Sequence, residues 1–208
     1  MNATLSGSSK PLDFHEGEVR EELQELTLRA RNAFAWACAR RCYPCYEAWT
    51  KSVNCEPDER VFRLLESLRV AILEMPDNSL LMSFEGLDEV IIELLPTDDS
   101  EWTSQMPLAE HALSSVAYAV RSVVCGSAQE AAWAARRAYE AADQAAINRI
   151  AGTNSYLPPD REILEDKLVQ QELARQKRDV EYLKANNISI VQELAQIESL
   201  LDKPVIWA

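Results

Sequence analysis

The chain has few of the residues that make tight turns. Of its 208 residues, only 5 are Gly and 9 are Pro, which is little material for the many turns of a sheet-rich fold. Hydrophobic residues make up 47% of the chain and charged residues 26%, which are ordinary proportions for a globular protein with a sizeable core. The composition therefore favours a helical fold.

Long apolar runs are also missing. No stretch approaches the roughly 20 apolar residues that a membrane-spanning helix needs, and the start of the chain lacks the positive-then-apolar order of a signal peptide. We therefore expect a cytoplasmic protein with a flexible N-terminal tail over residues 1–15 and one helical bundle domain over residues 16–208. The 5 cysteines, an odd number, are expected to be reduced thiols.

Positive charge is scarce and is absent from one long segment. The chain has 34 acidic and 21 basic residues, a net charge of −13, which argues against nucleic acid or an anionic membrane as a partner. Between Val70 and Val120 there is no Lys or Arg. The acidic residues of that segment are Glu74, Asp77, Glu85, Asp88, Glu89, Glu93, Asp98, Asp99, Glu101 and Glu110.

This acidic segment has two interpretations. A solvated face that keeps the protein soluble is the more frequent explanation of a charge run. The alternative is a docking surface for a cationic protein, in which the negative field speeds encounter and Trp102 supplies an aromatic anchor. The predicted partner-binding residues are Asp88, Glu89, Glu93, Asp98, Asp99, Glu101 and Trp102.

The apolar run Arg31–Trp49 is predicted to be the central helix, preceded by an acidic amphipathic lead-in over residues 16–28. Phe34, Cys38 and Arg41 recur at spacings of three and four, which places them on one face of a helix. Pro44 lacks a backbone donor and disfavours helical geometry at the preceding residue. We therefore expect the central helix to kink or restart there and to end near residue 53.

The remaining helices are predicted from caps and apolar stripes. The region 79–95 is ambiguous, because two short buried strands fit it as well as a helix, which we favour. The alanine-rich helix that ends near residue 150 is expected to lie in the middle of the bundle. The fold class is all-α, a single-domain bundle of about seven or eight helices. We predict that one helix starts at Pro57 and that a helix from Leu108 ends just before Gly126. Ser127 and Glu130 are predicted to form a capping box for the next helix. One helix is predicted over residues 160–186 and a last helix from Ser189 to Leu201.

Sequence features that indicate chemistry are sparse. Four cysteines, with Cys42 and Cys45 two residues apart, fit a zinc or redox site, but the absence of a second such pair favours core packing. The full set is Cys38, Cys42, Cys45 and Cys55. His15 and His111 have no partner nearby in sequence, and phosphate loops and hydrolase motifs are absent. We predict a non-catalytic protein without catalytic residues, metal or cofactor.

The segment Ala35–Glu47, AWACARRCYPCYE, resembles a helix motif that ends in Arg, an apolar residue, Pro and an aromatic residue. It is similar to the YjaG-like family of unknown function (domain of unknown function 416), as is the segment Asp166–Gln176. Ala131–Ala146 resembles the Imm-5-like group of predicted bacterial immunity proteins. The resemblance to the Imm-5-like group implies an immunity protein that neutralises a cognate, basic toxin. The resemblance to the YjaG-like family implies a housekeeping or regulatory helical protein. Such a protein would act as a homo-oligomer, for instance a homodimer, through the C-terminal helices and Trp207.

Overall fold

A computed structural model describes residues 10–74, 83–97, 102–153 and 157–185. These ranges contain helices and no strand, which confirms the all-α prediction, and the helices pack as one domain. None of them combines the length and the apolar composition that crossing a bilayer requires. The helices are α1 Glu16–Gln24, α2 Leu28–Ser52, α3 Glu59–Glu74, α4 Leu87–Ile92, α5 Met106–Cys125, α6 Ala128–Thr153, α7 Asp160–Leu164 and α8 Lys167–Ala185.

Helices α2, α5 and α6 form the centre of the bundle, where each contacts the other two. Helix α6 also contacts α1, α7 and α8, so the prediction that the alanine-rich helix lies in the middle is confirmed. Its alanines let neighbouring helices approach closely, because they add little width to the backbone. The Ser115 hydroxyl of α5, for example, donates to the Ala134 carbonyl of α6 at 3.1 Å. The buried alanines of α6 include Ala131, Ala134, Ala135, Ala138, Ala142 and Ala145.

A threonine cap separates α1 from α2. The Thr27 hydroxyl accepts a hydrogen bond from the Ala30 N–H at 3.2 Å, which satisfies one of the free donors at the start of α2. The Arg31 guanidinium then donates to the Leu23 carbonyl at 3.1 Å and to the Gly126 carbonyl at 2.5 Å. One side chain of α2 therefore holds the ends of both α1 and α5.

The expected restart at Pro44 is wrong, because α2 continues through this residue, whereas the alternative of a kink stays a prediction. A proline inside a helix removes one backbone hydrogen bond and costs about 3 kcal/mol. Side chains on both sides of Pro44 are buried in the core, including Cys42, Tyr43, Cys45 and Tyr46. Their burial, at about 1.5–3 kcal/mol for a large side chain, offsets that cost.

Helix α3 begins at Glu59 and not at Pro57, so that predicted start is wrong. The Asp58 carboxylate accepts a hydrogen bond from the Arg60 backbone N–H at 2.8 Å, the interaction of an N-cap residue. The backbone N–H of Asp58 in turn donates to the Tyr46 hydroxyl of α2 at 3.1 Å. The acidic cap, tied to α2, therefore sets the start of the helix.

The described part of the ambiguous region contains a helix and no strand. Helix α4 spans Leu87–Ile92 and follows Gly86, whose φ of 79° lies in the left-handed region that glycine adopts without strain. The helix is shorter than predicted, because turns occupy residues 93–95. Residues 79–82 lie outside the described ranges.

Two predicted features between α5 and α6 have different outcomes. Gly126, with φ of 65°, ends α5 as predicted, and its N–H donates to the Ser122 carbonyl at 2.9 Å. The capping box is only half formed. The Ser127 hydroxyl accepts from the Gln129 N–H at 3.1 Å, whereas Oε2 of Glu130 is buried and accepts no hydrogen bond from the described residues.

The single helix predicted over residues 160–186 is wrong, because the structure has α7 and α8 with a turn between them. Asp166 makes the break. Its carboxylate accepts from the Leu168 N–H at 2.8 Å, which caps α8, and forms an ion pair with Arg149 of α6. The predicted helix from Ser189 to Leu201 and Trp207 lie outside the described ranges.

Candidate functional site

Helix α4 and the residue after it carry part of the predicted partner-binding surface, within the described ranges. Ile91 is buried and packs in the core, which fixes α4 to the bundle. Glu89 and Glu93 are exposed, so their carboxylates face solvent. The short helix and the residue that follows it therefore present two negative charges beside Ile92, an exposed apolar side chain.

Asp88 is engaged within the bundle. Its Oδ2 accepts a hydrogen bond from Nε of Arg121 on α5 at 2.6 Å, and its side chain is only 16% exposed. This hydrogen bond, followed by the charge of Asp88, raises the pKa of the Arg121 guanidinium against the effect of burial. Asp88 therefore fixes α4 to α5 and contributes less free negative charge than its neighbours on α4.

Trp102 is the predicted anchor, and the structure leaves it in solvent. Its side chain is 74% exposed, in the segment that leads into α5. A tryptophan contributes strongly to binding when a partner removes its large surface from water. The predicted contact residues Asp98, Asp99 and Glu101 lie outside the described ranges, so their positions relative to α4 stay a prediction.

His111 lies near a carboxylate that the sequence did not reveal. Its Nδ1 is 3.5 Å from Oε2 of Glu140 on α6, but it is buried and forms no hydrogen bond with the described residues. Glu140 accepts hydrogen bonds from Arg136 at 2.9 Å and from Arg137 at 2.7 Å. Burial lowers the pKa of His111 and outweighs the opposing charge of Glu140, so the imidazole is neutral at pH 7.

Glu16 extends this network to α1. Its carboxylate accepts from Arg136 at 3.0 Å, from the Gln129 amide at 2.8 Å and from the Trp133 indole at 3.2 Å. These contacts hold the first turn of α1 on α6. The network is a connection between helices, and we assign it no chemistry.

A charge cluster lies inside the bundle between α2 and α8. Arg41 donates to Asp179 at 2.7 Å and to Glu172 at 3.1 Å, and all three side chains are almost fully buried. Arg41 Nη2 also lies 3.4 Å from the Cys38 sulfur. The buried guanidinium therefore contacts two carboxylates, each of which keeps one buried oxygen without a hydrogen-bond partner among the described residues. Arg175 and Arg178 add positive charge nearby.

The charges of the cluster depend on one another. Burial alone would lower the pKa of Arg41, but the charges of Glu172 and Asp179 raise it, so the guanidinium stays protonated. Burial raises the pKa of Asp179, and the opposing charge of Arg41 reduces but does not cancel that shift. Asp179 therefore takes up a proton more readily than an aspartate in water.

The four candidate cysteines do not meet at one site. Three of them, Cys38, Cys42 and Cys45, are buried in α2, which confirms core packing for them, whereas Cys55 is exposed. Burial raises the pKa of all three buried thiols, that of Cys45 to about 12. Within the described ranges, no group of three or more His, Cys, Asp or Glu side chains is arranged to hold a metal ion.

Comparison with known proteins adds one fold relationship. No protein-family model matches the sequence, and no curated protein is significantly similar to it. The fold is similar to the crystal structure of a DUF416 family protein from Shewanella baltica OS155, with a TM-score of 0.68 over 88% of this chain and 93% of that one. The two sequences are 13% identical, so the likeness concerns the fold. The helices of this chain are thus arranged as in a DUF416 family protein.

Proposed function

We propose that this chain is a non-catalytic cytoplasmic binding protein that neutralises a basic toxin domain. The contact surface, called the acidic surface below, consists of Glu89 of α4, Glu93 just after α4 and Trp102, extended by the predicted residues Asp98, Asp99 and Glu101. The observation that carries the proposal is Trp102, a large aromatic side chain that is 74% exposed beside a segment without cations. Asp88 accepts a hydrogen bond from Arg121 and so holds the helix that carries Glu89 against α5.

Charge complementarity identifies the kind of partner. The net charge of −13 repels acidic partners and attracts basic ones, and the segment from 71 to 119 contributes ten acidic residues without a basic one. Such a field raises the association rate and makes it depend on ionic strength. The resemblance of Ala131–Ala146 to the Imm-5-like proteins supports a toxin domain as this basic partner.

An affinity pull-down from the native organism, read by mass spectrometry together with the identities of the adjacent genes, tests the proposal. We expect recovery of a basic protein in equal amount, encoded next to this chain. Recovery of only the chain itself would contradict the immunity function.

A variant with Glu89→Gln, Glu93→Gln and Trp102→Ala then tests the acidic surface. Loss of a hot-spot tryptophan costs about 2 kcal/mol or more, so affinity should fall by roughly 30-fold or more. A matched control removes two exposed charges and one exposed apolar side chain elsewhere, through Glu56→Gln, Glu181→Gln and Leu157→Ala. Equal affinity of the two variants for the partner would show that the contact surface is elsewhere.

The second candidate is a YjaG-like housekeeping or regulatory role as a homo-oligomer. The fold shared with a DUF416 family protein supports it, together with Leu157, an apolar side chain that is 79% exposed just before α7. Light scattering distinguishes the two candidates, because a monomer at high concentration would contradict this one.

A further inference from the structure

A small cavity lies between the start of the chain and α8. Its volume is about 220 Å³, and α1, α2 and α8 each contribute side chains to it. The chain before α1 forms a fixed wall, because the backbone N–H and carbonyl of Leu12 both hydrogen-bond to the Gln170 amide of α8 at 2.8 Å. The Phe14 ring stacks on Tyr139 of α6, with ring centroids 5.1 Å apart. The apolar side chains of the cavity are Leu12, Phe14, Val19, Phe34, Leu173 and Val180.

Gln176 of α8 brings an unused hydrogen-bond acceptor to this cavity. The residue is only 4% exposed and lines the cavity. Its Nε2 donates to the Ala135 carbonyl at 3.0 Å and to Oε1 of Glu172 at 2.9 Å. Because both of these partners are acceptors, they fix which end of the amide is the NH₂ group. The carbonyl Oε1 accepts no hydrogen bond from the described residues, and a ligand that donates one would satisfy it.

The charged side chains of the cavity favour a cationic donor. Asp13, Glu18 and Glu22 line it with their carboxylates, whereas Lys177 supplies the one ammonium among the lining residues. His15 also lines the cavity and is exposed. Lys184, outside the lining, lies 3.6 Å from the Glu22 carboxylate. The three carboxylates outnumber the two ammonium groups, so a ligand that brings a positive charge is attracted.

The size of the cavity suits a small cationic group. A volume of about 220 Å³ has room for a group such as propylguanidinium. The aliphatic stem of such a group matches the apolar walls. Its planar head has five N–H donors for the Gln176 carbonyl and the carboxylates, and it is weakly hydrated, so it enters an apolar cavity more easily than an ammonium.

We propose that this cavity binds the side chain of an arginine residue on a partner polypeptide. The guanidinium donates to Oε1 of Gln176 and to the carboxylates of Glu18 and Glu22, and the methylene groups lie against Phe34 and Val180. The cavity shares no residue with the acidic surface on α4 and Trp102. Either proposal can therefore fail without the other.

Titration of the ¹⁵N-labelled full chain with propylguanidinium, followed by NMR, tests the site. We expect saturable shifts of the Gln176 side-chain amide, because its carbonyl gains a donor. Propylurea is the neutral probe of the same size and should bind roughly tenfold more weakly or worse, because hydrogen bonds to charged groups contribute more. Equal binding of the two probes, or no saturable shift with propylguanidinium, would overturn the proposal.

A blocked Gly-Arg-Gly peptide tests whether the source of the group is a polypeptide. We expect it to shift the same signals and to bind at least as tightly as propylguanidinium. If propylguanidinium binds and the peptide does not, the cavity takes small guanidines only and the proposed partner is wrong.

Two variants test the residues of the cavity. Val19→Trp should abolish the shifts by filling the space, and Glu18→Gln with Glu22→Gln should weaken binding by roughly fivefold or more through loss of two charges. The matched control is Glu21→Gln with Glu56→Gln, which removes two exposed charges that do not line the cavity. If the two charge variants bind propylguanidinium with equal affinity, the assigned cavity is wrong. This comparison remains valid if Val19→Trp fails to fold.

Discussion

Replacement of Arg41 by Met tests the assignment of the buried charge cluster. The substitution keeps an unbranched side chain in the core but leaves Glu172 and Asp179 buried without the cation that both contact. Removal of one partner from a buried ion pair costs about 3–5 kcal/mol, because the remaining charge stays out of water. We expect a loss of that size in the free energy of unfolding at pH 7, measured by urea denaturation and circular dichroism.

Arg40→Met is the matched control on the same helix. Arg40 lies over the rings of Tyr43 and Phe62, with its guanidinium carbon 5.6 Å from each ring centroid. A partly exposed cation–π contact of this kind contributes about 0.5–1 kcal/mol. Equal costs for the Arg40 and Arg41 variants would refute the reasoning, because burial of the unpaired carboxylates would then contribute nothing.

The pH dependence provides an independent check on the same cluster. Burial raises the pKa of Asp179 above its usual 3.8, so the folded state binds a proton more readily than the unfolded state. The contribution of this group to stability is therefore highest at low pH and falls as the pH rises from about 3.8 through the folded-state pKa. Without Arg41 this effect increases, so the cost of Arg41→Met should shrink as the pH is lowered. A cost that stays constant between pH 7 and pH 4 would contradict this.

Three further predictions concern a histidine, the cysteines and a glycine. Burial lowers the pKa of His111, so the neutral imidazole stabilises the fold and this stabilisation is lost as the pH falls through about 6.5 toward the folded-state pKa. In the His111→Gln variant, the free energy of unfolding in urea should not show this loss between pH 7.5 and pH 5. The three cysteines buried in α2 should react slowly with a thiol reagent, whereas Cys55 and Cys125 react fast; five equal rates would contradict the assigned burial. Gly126→Ala should lower the free energy of unfolding by about 1–2 kcal/mol, because φ is positive and the added Cβ lies 3.0 Å from a leucine of α2. The control Gly152→Ala adds a Cβ in open space and should not destabilise the protein.

Features that depend on local sequence were predictable. The left-handed glycine at 126 follows from the end of an apolar stripe, and the buried alanines of α6 follow from their spacing. The break at Asp166 was missed, although an Asp before an apolar run is a capping signal, because helical periodicity continues on both sides of it. At Pro44 the opposite happened, since burial of the flanking side chains outweighed a local signal for a break.

Contacts between distant parts of the chain could not be predicted. Arg41 meets Glu172 and Asp179 across 131 and 138 positions, and no single-sequence pattern links them. Within the acidic segment, the exposed positions on α4 follow from helical spacing. The engagement of Asp88 does not, because Arg121 lies beyond the end of that segment.

The buried cluster also determines the register in which α8 packs. An alanine-rich helix such as α6 offers a smooth surface, along which a neighbouring helix can slide with little change in contact area. Glu172 and Asp179 are seven positions apart, about two helical turns, and α8 places both against Arg41. A displacement of one turn, about 5.4 Å, would separate one carboxylate from the guanidinium and leave its charge buried alone. Electrostatics thus selects one alignment of α8 where side-chain shape alone would permit several.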